Sequence, residues 1–353
     1  MKLIAHTEET SNEYVENMVR VDGPRLEIYE VPFPHGKIQY IKQYKKIAQA
    51  LDKAWVDCDA AVLRIPDQLA FQLYKKIKNK MPIAVEITSD PWMLFSPKNY
   101  RKSILRPFLR LHWHCQQKKI CKSVLGTAYV TKQYLQQRYF PTKNEKGFTT
   151  FYTDTDVDDA WFNMKKQIEE GEELTLIHVA TSIGGNAKGH RELIIAAGEL
   201  IKKGHKIKVV LVGAGDLNKE NQEIVQKYDI SSCIYKTGSL TKLQLKEQLS
   251  KADVFVFPSY VEGLPRVLIE AMAMGLPCVA TELPGIKELL PEKWLVPIKD
   301  YKLLQEKIEK FIVNKPLISQ VGQENRAVAR DYDVSKVEQT RKEFYLKLKS
   351  LIK

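Results

Sequence analysis

Two carboxylates eight positions apart carry the clearest chemical signal in this 353-residue chain. Glu262 and Glu270 lie in the run Pro258-Ser259-Tyr260-Val261-Glu262-Gly263-Leu264-Pro265-Arg266-Val267-Leu268-Ile269-Glu270-Ala271-Met272-Ala273-Met274-Gly275-Leu276-Pro277. The pattern predicts a strand end, a glycine turn and a helix over Pro265–Met274, with Pro265 suited to its first turn. From Val267 to Met274 the only polar residue is Glu270, so this helix should be buried. A carboxylate on a buried helix is costly unless something meets it. Glu262 sits beside the helix N-terminus, where free N–H groups and the positive dipole end make an anion site. A solvated loop glutamate or a capped helical glutamate would explain either residue alone. Both in one segment point to a ligand site.

A second segment, Thr181-Ser182-Ile183-Gly184-Gly185-Asn186-Ala187-Lys188-Gly189-His190, joins an apolar strand to a helix. Glycines let the backbone approach a phosphate, and Lys188 supplies a point charge. The order differs from a P-loop, which needs G-K-[ST]. Gly213-Ala214-Gly215 lacks the third glycine of a dinucleotide fingerprint and follows the second strand of its domain, not the first. That argues against a nicotinamide-dependent oxidoreductase.

The surrounding pattern must position these residues. Strands are expected at Leu174–Thr181, Lys206–Val212, Ser232–Lys236, Val254–Pro258 and Pro277–Thr281. Helices are expected at His190–Lys203, Lys219–Tyr228 and Thr241–Ala252, with two long ones at about 316–331 and 334–352. Apolar strands alternating with helices indicate a parallel sheet covered on both faces. The first half is less regular, with strands at Asp59–Arg64, Ile83–Thr88 and Val124–Thr131 and a helix at about 132–139. The stretch 141–172, rich in Thr, Asp, Glu and Lys, is the expected domain junction.

Composition narrows the class. The apolar fraction of 44% is that of a folded protein. Five cysteines make no disulfide framework, so reduced thiols and a cytoplasmic setting are expected. No apolar run reaches the ~18 residues of a spanning helix, and the first residues turn polar too soon for a signal peptide. The formal charge of +12 is concentrated: residues 1–150 hold 25 basic and 14 acidic side chains, and 101–122 hold seven basic and no acidic ones. An anionic partner follows. In Arg101-Lys102-Ser103-Ile104-Leu105-Arg106-Pro107-Phe108-Leu109-Arg110-Leu111-His112-Trp113-His114, cations alternate with apolar residues as in an interfacial helix. Arg101, Lys102, Arg106, Arg110 and Trp113 are the expected contacts to an anionic membrane surface. The alternative is a solvated surface helix with its apolar side in the core. No recognition motif accompanies the charge, so nucleic acid is not expected. His112, His114, Cys115 and Cys121 match no zinc spacing, and no metal site is expected.

Together these segments resemble the group 1 (family 4) retaining glycosyltransferases. The resemblance is strongest over about 174–290. It rests on the E-x7-E pair Glu262 and Glu270, the Glu-Ala-Met-Ala-x-Gly-x-Pro run, Lys188-Gly189, Val212-Gly213-x-Gly215 and the turn Gly238-Ser239-Leu240. It implies the GT-B fold, an α/β architecture of two Rossmann-like domains facing across a cleft. The domains would be 1–165 for the acceptor and 166–335 for the nucleotide-sugar, with helix 336–353 packing back on the first. It further implies a metal-independent, retaining transfer from a UDP- or GDP-linked sugar to a lipid-linked or polysaccharide-precursor acceptor. The nucleotide-sugar would be a co-substrate, and no cofactor is implied. Lys188 would neutralise the diphosphate. Gly185, Gly263, Leu264, Pro265 and Arg266 would surround the phosphates and sugar, Leu240 the base, Glu270 the ribose, and Glu262 the sugar near its reacting carbon. The implied location is cytoplasmic, peripheral on the inner membrane face.

Three departures stand out. Many relatives carry an arginine a few residues before the turn lysine, where this chain has Thr181-Ser182; Arg191 and Arg266 are the candidates to replace it. The expected glycine-rich loop after the first strand has no glycine over Thr7–Glu13. Where many relatives have a histidine, this chain reads Thr88-Ser89-Asp90-Pro91-Trp92, so Asp90 could orient or deprotonate the acceptor hydroxyl, or simply start a turn before proline. These departures leave a catalytically weak, subunit-like relative as the alternative.

Overall fold

The computed structural model describes residues 1–7, 23–97, 103–163 and 173–352. The first domain opens with β1 (Lys2–Thr7) paired in parallel with β2 (Glu27–Pro32). It continues through α1 (Gly36–Ala54), β3 (Ala61–Ile65), α2 (Gln68–Ile77), β4 (Ile83–Ile87), α3 (Pro91–Leu94), α4 (Arg106–Ser123), β5 (Gly126–Tyr129), α5 (Tyr134–Arg138) and β6 (Phe148–Phe151). Strands β3 to β6 form a parallel sheet in chain order. Helix α2 shows why such segments fold locally. Asp67 caps it by accepting from the Ala70 N–H, and Leu69, Leu73 and Ile77 recur on its buried face. Those residues join Leu63, Val85, Ile87 and Tyr129 in one core.

The second domain follows α6 (Asp159–Phe162). It comprises β7 (Leu174–Ser182), α7 (His190–Lys202), β8 (Ile207–Ala214), α8 (Lys219–Tyr228), β9 (Ile234–Gly238), α9 (Lys242–Lys251), β10 (Val254–Phe257), α10 (Arg266–Ala273), β11 (Cys278–Thr281), β12 (Leu295–Val296), α11 (Tyr301–Val313) and α12 (Pro316–Ala329). Its parallel sheet has the order β12-β11-β10-β7-β8-β9. Strand β10 is apolar throughout, β11 is apolar up to its last residue Thr281, and both are buried, as a sheet covered on both faces requires. The chain leaves β7 in one direction through β8 and β9 and in the other through β10 and β11. The crevice between β7 and β10 is therefore the topological switch point, where open α/β sheets bind ligands.

The stretch 141–172 is not a plain linker. Strand β6 completes the first sheet, whereas Val157, Trp161 and Phe162 pack into the core of the second domain. Val157 is also bridged to Asp333. The boundary expected at 165/166 falls outside the described residues. Helix α13 (Val334–Lys349) runs back to the first domain, where Val337, Phe344 and Leu348 cluster with Ala84, Ala128 and Tyr152. Among the described residues no helix is long and apolar enough to cross a membrane.

Candidate active site

Two loops meet at the switch point. The β7–α7 loop turns through Asn186–Lys188 and reaches α7 at Gly189, whose φ of +74° is left-handed. A Cβ there would lie 2.1 Å from the Pro258 carbonyl oxygen, so close approach of the two loops also demands glycine. The β10–α10 loop carries Glu262. Lys188 Nζ donates to Glu262 Oε1 at 2.7 Å, and Ser259 Oγ donates to the same oxygen at 2.7 Å. The lysine side chain is 32% exposed and the glutamate 15%, so the pair is open enough to exchange partners.

Helix α10 begins behind Glu262. Leu268, Ile269, Ala271, Met272 and Ala273 are buried on it, which fixes its N-terminus towards the loop. Gly263 is pressed from both sides. A Cβ there would lie 2.6 Å from the Thr88 carbonyl oxygen of the first domain, and Gly285 packs against its own carbonyl. One turn into α10, Glu270 has no hydrogen bond or ion pair among the described residues. Burial, with Asp156 nearby, pushes its pKa up to about 7, and Arg266 and Lys242 partly offset this. A half-buried, unpartnered carboxylate poised near neutrality suits acceptance of ligand hydroxyl groups. Gly238 turns at φ +74° ahead of Leu240, which packs on the domain core, and Thr241 starts α9 with a capping box. Lys242 Nζ, at the start of α9, pairs with Asp156 Oδ2 at 2.7 Å.

The two candidates for the replaced arginine separate. Arg191 is bound to Glu220 at 2.9 Å and lies 3.8 Å from Glu192. Arg266 is exposed at the first position of α10 and makes no ion pair among the described residues. Arg266 is the cation left for a ligand.

In the first domain Asp90 takes the turn-starting alternative. This carboxylate is 4% exposed. It caps α3 by accepting from the Trp92 N–H at 2.8 Å, pairs with Arg138 Nε at 2.9 Å, and accepts from the Tyr134 and Tyr139 hydroxyls. A base needs a free lone pair facing its substrate; three hydrogen bonds, the Arg138 ion pair and burial engage this carboxylate within its own domain. Asp90 ties the end of β4 to α5 instead. The basic segment places its expected membrane contacts unevenly. Arg110 donates to the Trp92 carbonyl at 2.7 Å with its guanidinium 4.0 Å above that indole ring. Trp113 packs between Phe71 and Phe95. Both are thereby partly buried. Arg106 is partly exposed, and Arg101 and Lys102 lie outside the described residues. The outward apolar residues are Ile104, 98% exposed, with Leu105, Phe108 and Leu111. His114 bonds Tyr139 and Cys121 is buried, so the His/Cys run shares no focus.

Sequence reasoning missed one contact between the domains. Glu288 accepts from the N–H groups of Lys132, Gln133 and Tyr134 at 2.5, 3.1 and 2.7 Å, so a residue of the second domain caps α5 of the first. Lys132 Nζ adds a 2.9 Å bond to Asp331. No local pattern around Glu288 signals this, because its partners are more than 150 residues away.

Two Rossmann-like domains facing across a cleft define the GT-B fold of glycosyltransferases. The chain aligns with a structure of sucrose-phosphate synthase from Thermosynechococcus elongatus at a TM-score of 0.75 and 17% identity, over 98% of this chain and 89% of that one. A structure of Anabaena HepE in complex with UDP and glucose aligns at a TM-score of 0.64 and 15% identity, covering 92% and 86%. Residues 159–328 match the family described as glycosyl transferases group 1. Protein CapJ of Staphylococcus aureus is 27% identical over 316 residues, 88% of this chain and 78% of CapJ. The amylovoran biosynthesis glycosyltransferase AmsK of Erwinia amylovora is 32% identical over 152 residues, 40% of this chain and 37% of AmsK.

Proposed function

We propose that this glycosyltransferase moves a sugar from a UDP- or GDP-linked donor to a lipid-linked or polysaccharide-precursor acceptor, with retention and without a metal. The observation that carries this reading is the constellation at the switch point. Lys188 and the free N–H groups of α10 offer positive charge to a diphosphate, Glu262 stands beside them, and the unpartnered Glu270 lies on the same helix. The diphosphate is the leaving group. Its developing charge is met by Lys188, Arg266 and the helix end, which is stabilisation by fixed electrostatics. Glu270 accepts from the ribose hydroxyls, and the Gly238–Leu240 turn lies along the base. Glu262 exchanges Lys188 for hydroxyls of the donor sugar near the reacting carbon. Gly263 holds the facing domain at contact distance, which brings the acceptor hydroxyl to the sugar. Retention is best accounted for by attack on the face that the diphosphate leaves, with a phosphate oxygen taking the proton from the acceptor hydroxyl. Asp90 acts here as a positioning residue.

The polysaccharide assignment is supported by the names of the relatives, amylovoran biosynthesis among them. Docking on the inner membrane face is supported by the exposed Ile104, Leu105, Phe108 and Leu111 in a segment with seven basic residues and no acid over 101–122. Calorimetric titration with UDP, GDP and ADP tests the donor site. One of them should bind in the micromolar range and lose most of that affinity in Glu270→Ala. Failure of all three at millimolar levels removes the donor assignment.

A further inference from the structure

Beside the switch point lies a polar cavity of about 320 Å³, lined by Asn186, Arg191, Glu192, Glu220, Tyr260 and Lys299 among others. Tyr260 Oη donates to Glu192 Oε2 at 2.7 Å, and both residues are buried. Glu192 lies in the first turn of α7, where the helix dipole favours a carboxylate. Such a buried charge is still costly even with Arg191 3.8 Å from its other oxygen, and a glutamine could accept the same tyrosine hydrogen bond without it. Burial and the Glu192 carboxylate raise the Tyr260 phenol above its ordinary range, so it remains a donor.

We propose that the Tyr260–Glu192 pair is a positioning clasp that aligns Lys188 with the N-terminus of α10 and so sets affinity for a nucleoside diphosphate. The inference rests on the donor-site reading above. The two positive elements stand on different loops, one continuous with α7 and the other with β10. The loops are also joined where the Tyr260 N–H donates to the Ala187 carbonyl at 2.8 Å, where Ser259 Oγ lies 3.3 Å from the same oxygen, and by the Lys188–Glu262 bond, which a diphosphate would displace. The Tyr260 side chain adds a second anchor, on the helix that begins just after Lys188. The Lys299 ammonium covers the outer face of the ring at 5.4 Å. Without the clasp, residues 260–265 can shift against α7, and Lys188 and the α10 N–H groups no longer converge on one diphosphate. The ribose and base contacts, on Glu270 and the Gly238 turn, do not pass through this segment.

The test is calorimetry on wild type, Tyr260→Phe, Glu192→Gln and the double variant, with whichever of UDP or GDP binds and with its monophosphate. Tyr228→Phe is the control, because it removes the other tyrosine–glutamate bond on α7, to Glu199. Loss of a hydrogen bond to a charged group should weaken diphosphate binding about tenfold or more in each single variant. The double variant should lose no more than a single one, monophosphate affinity should hold, and the control should match wild type. Variants that bind the diphosphate as wild type does overturn the clasp. So does equal loss of diphosphate and monophosphate, which signals general loosening. If Glu192→Gln does not fold, the milder Tyr260→Phe decides alone. A wild type that binds neither diphosphate overturns the donor reading itself, a result distinct from any of these.

Discussion

Removing the charge of Glu262 should tighten binding of the leaving nucleotide while stopping the reaction. In the unliganded protein Lys188 is engaged by Glu262 at 2.7 Å, so a diphosphate must take the lysine from the carboxylate. Glu262→Gln keeps the shape, and its amide oxygen can still accept from Ser259 Oγ. A partly exposed ion pair of this kind is worth about 1 kcal/mol. That corresponds to about a fivefold change in affinity, and relief of repulsion between Glu262 and the phosphates should raise the gain towards tenfold. The variant should bind the nucleoside diphosphate about five- to tenfold more tightly by calorimetry, with a smaller gain for the monophosphate. Turnover should fall by about a hundredfold or more, the scale of losing one electrostatic contact to a reacting group. A variant that binds the diphosphate as wild type does, or more weakly, refutes the exchange of partners at Lys188.

Gly263→Ala should lower turnover more than about tenfold with little change in the unfolding midpoint, because its Cβ meets the Thr88 carbonyl at 2.6 Å only when the domains are together. For Glu270, the pKa near 7 against an ordinary 4.5 means that the folded state prefers the neutral acid. Its contribution to stability is complete below about pH 4.5 and is lost as pH rises through about 7. Glu270→Gln should therefore match wild type in urea denaturation at low pH and exceed it by up to about 3 kcal/mol above pH 8. Binding of a nucleotide-sugar, whose ribose hydroxyls favour the carboxylate, should strengthen as pH rises through the same range. Phe108→Ser should weaken sedimentation with vesicles containing anionic lipid about tenfold, leaving nucleotide affinity unchanged. Binding to vesicles that is unaffected by this change removes the docking face.

The donor half was legible because its chemistry is contiguous. One run from Pro258 to Pro277 contains the strand end, the turn, the helix and both glutamates. Apolar periodicity places Glu270 on a buried helix before any tertiary contact is known. The acceptor half was not legible in this way. Asp90 reads as a turn starter with a free carboxylate, and its partners Tyr134, Arg138 and Tyr139 lie more than 40 residues along the chain. The outward face of α4 depends on Phe71, Trp92 and Phe95, which draw Arg110 and Trp113 inward and leave Phe108 and Leu111 outside. Glu288 looks like a surface residue until α5 of the other domain supplies three N–H groups.

The most direct measurement is proton NMR of a nucleotide-sugar incubated with the protein and a lipid-linked or glycan acceptor, beside Lys188→Ala. Cleavage with release of the nucleoside diphosphate, a product sugar in the anomeric configuration of the donor, and a loss of about a hundredfold in the variant are expected. An inverted product contradicts the retaining mechanism. Equal rates in wild type and variant contradict the role of Lys188, and a donor that stays intact in every acceptor mixture contradicts the transfer itself.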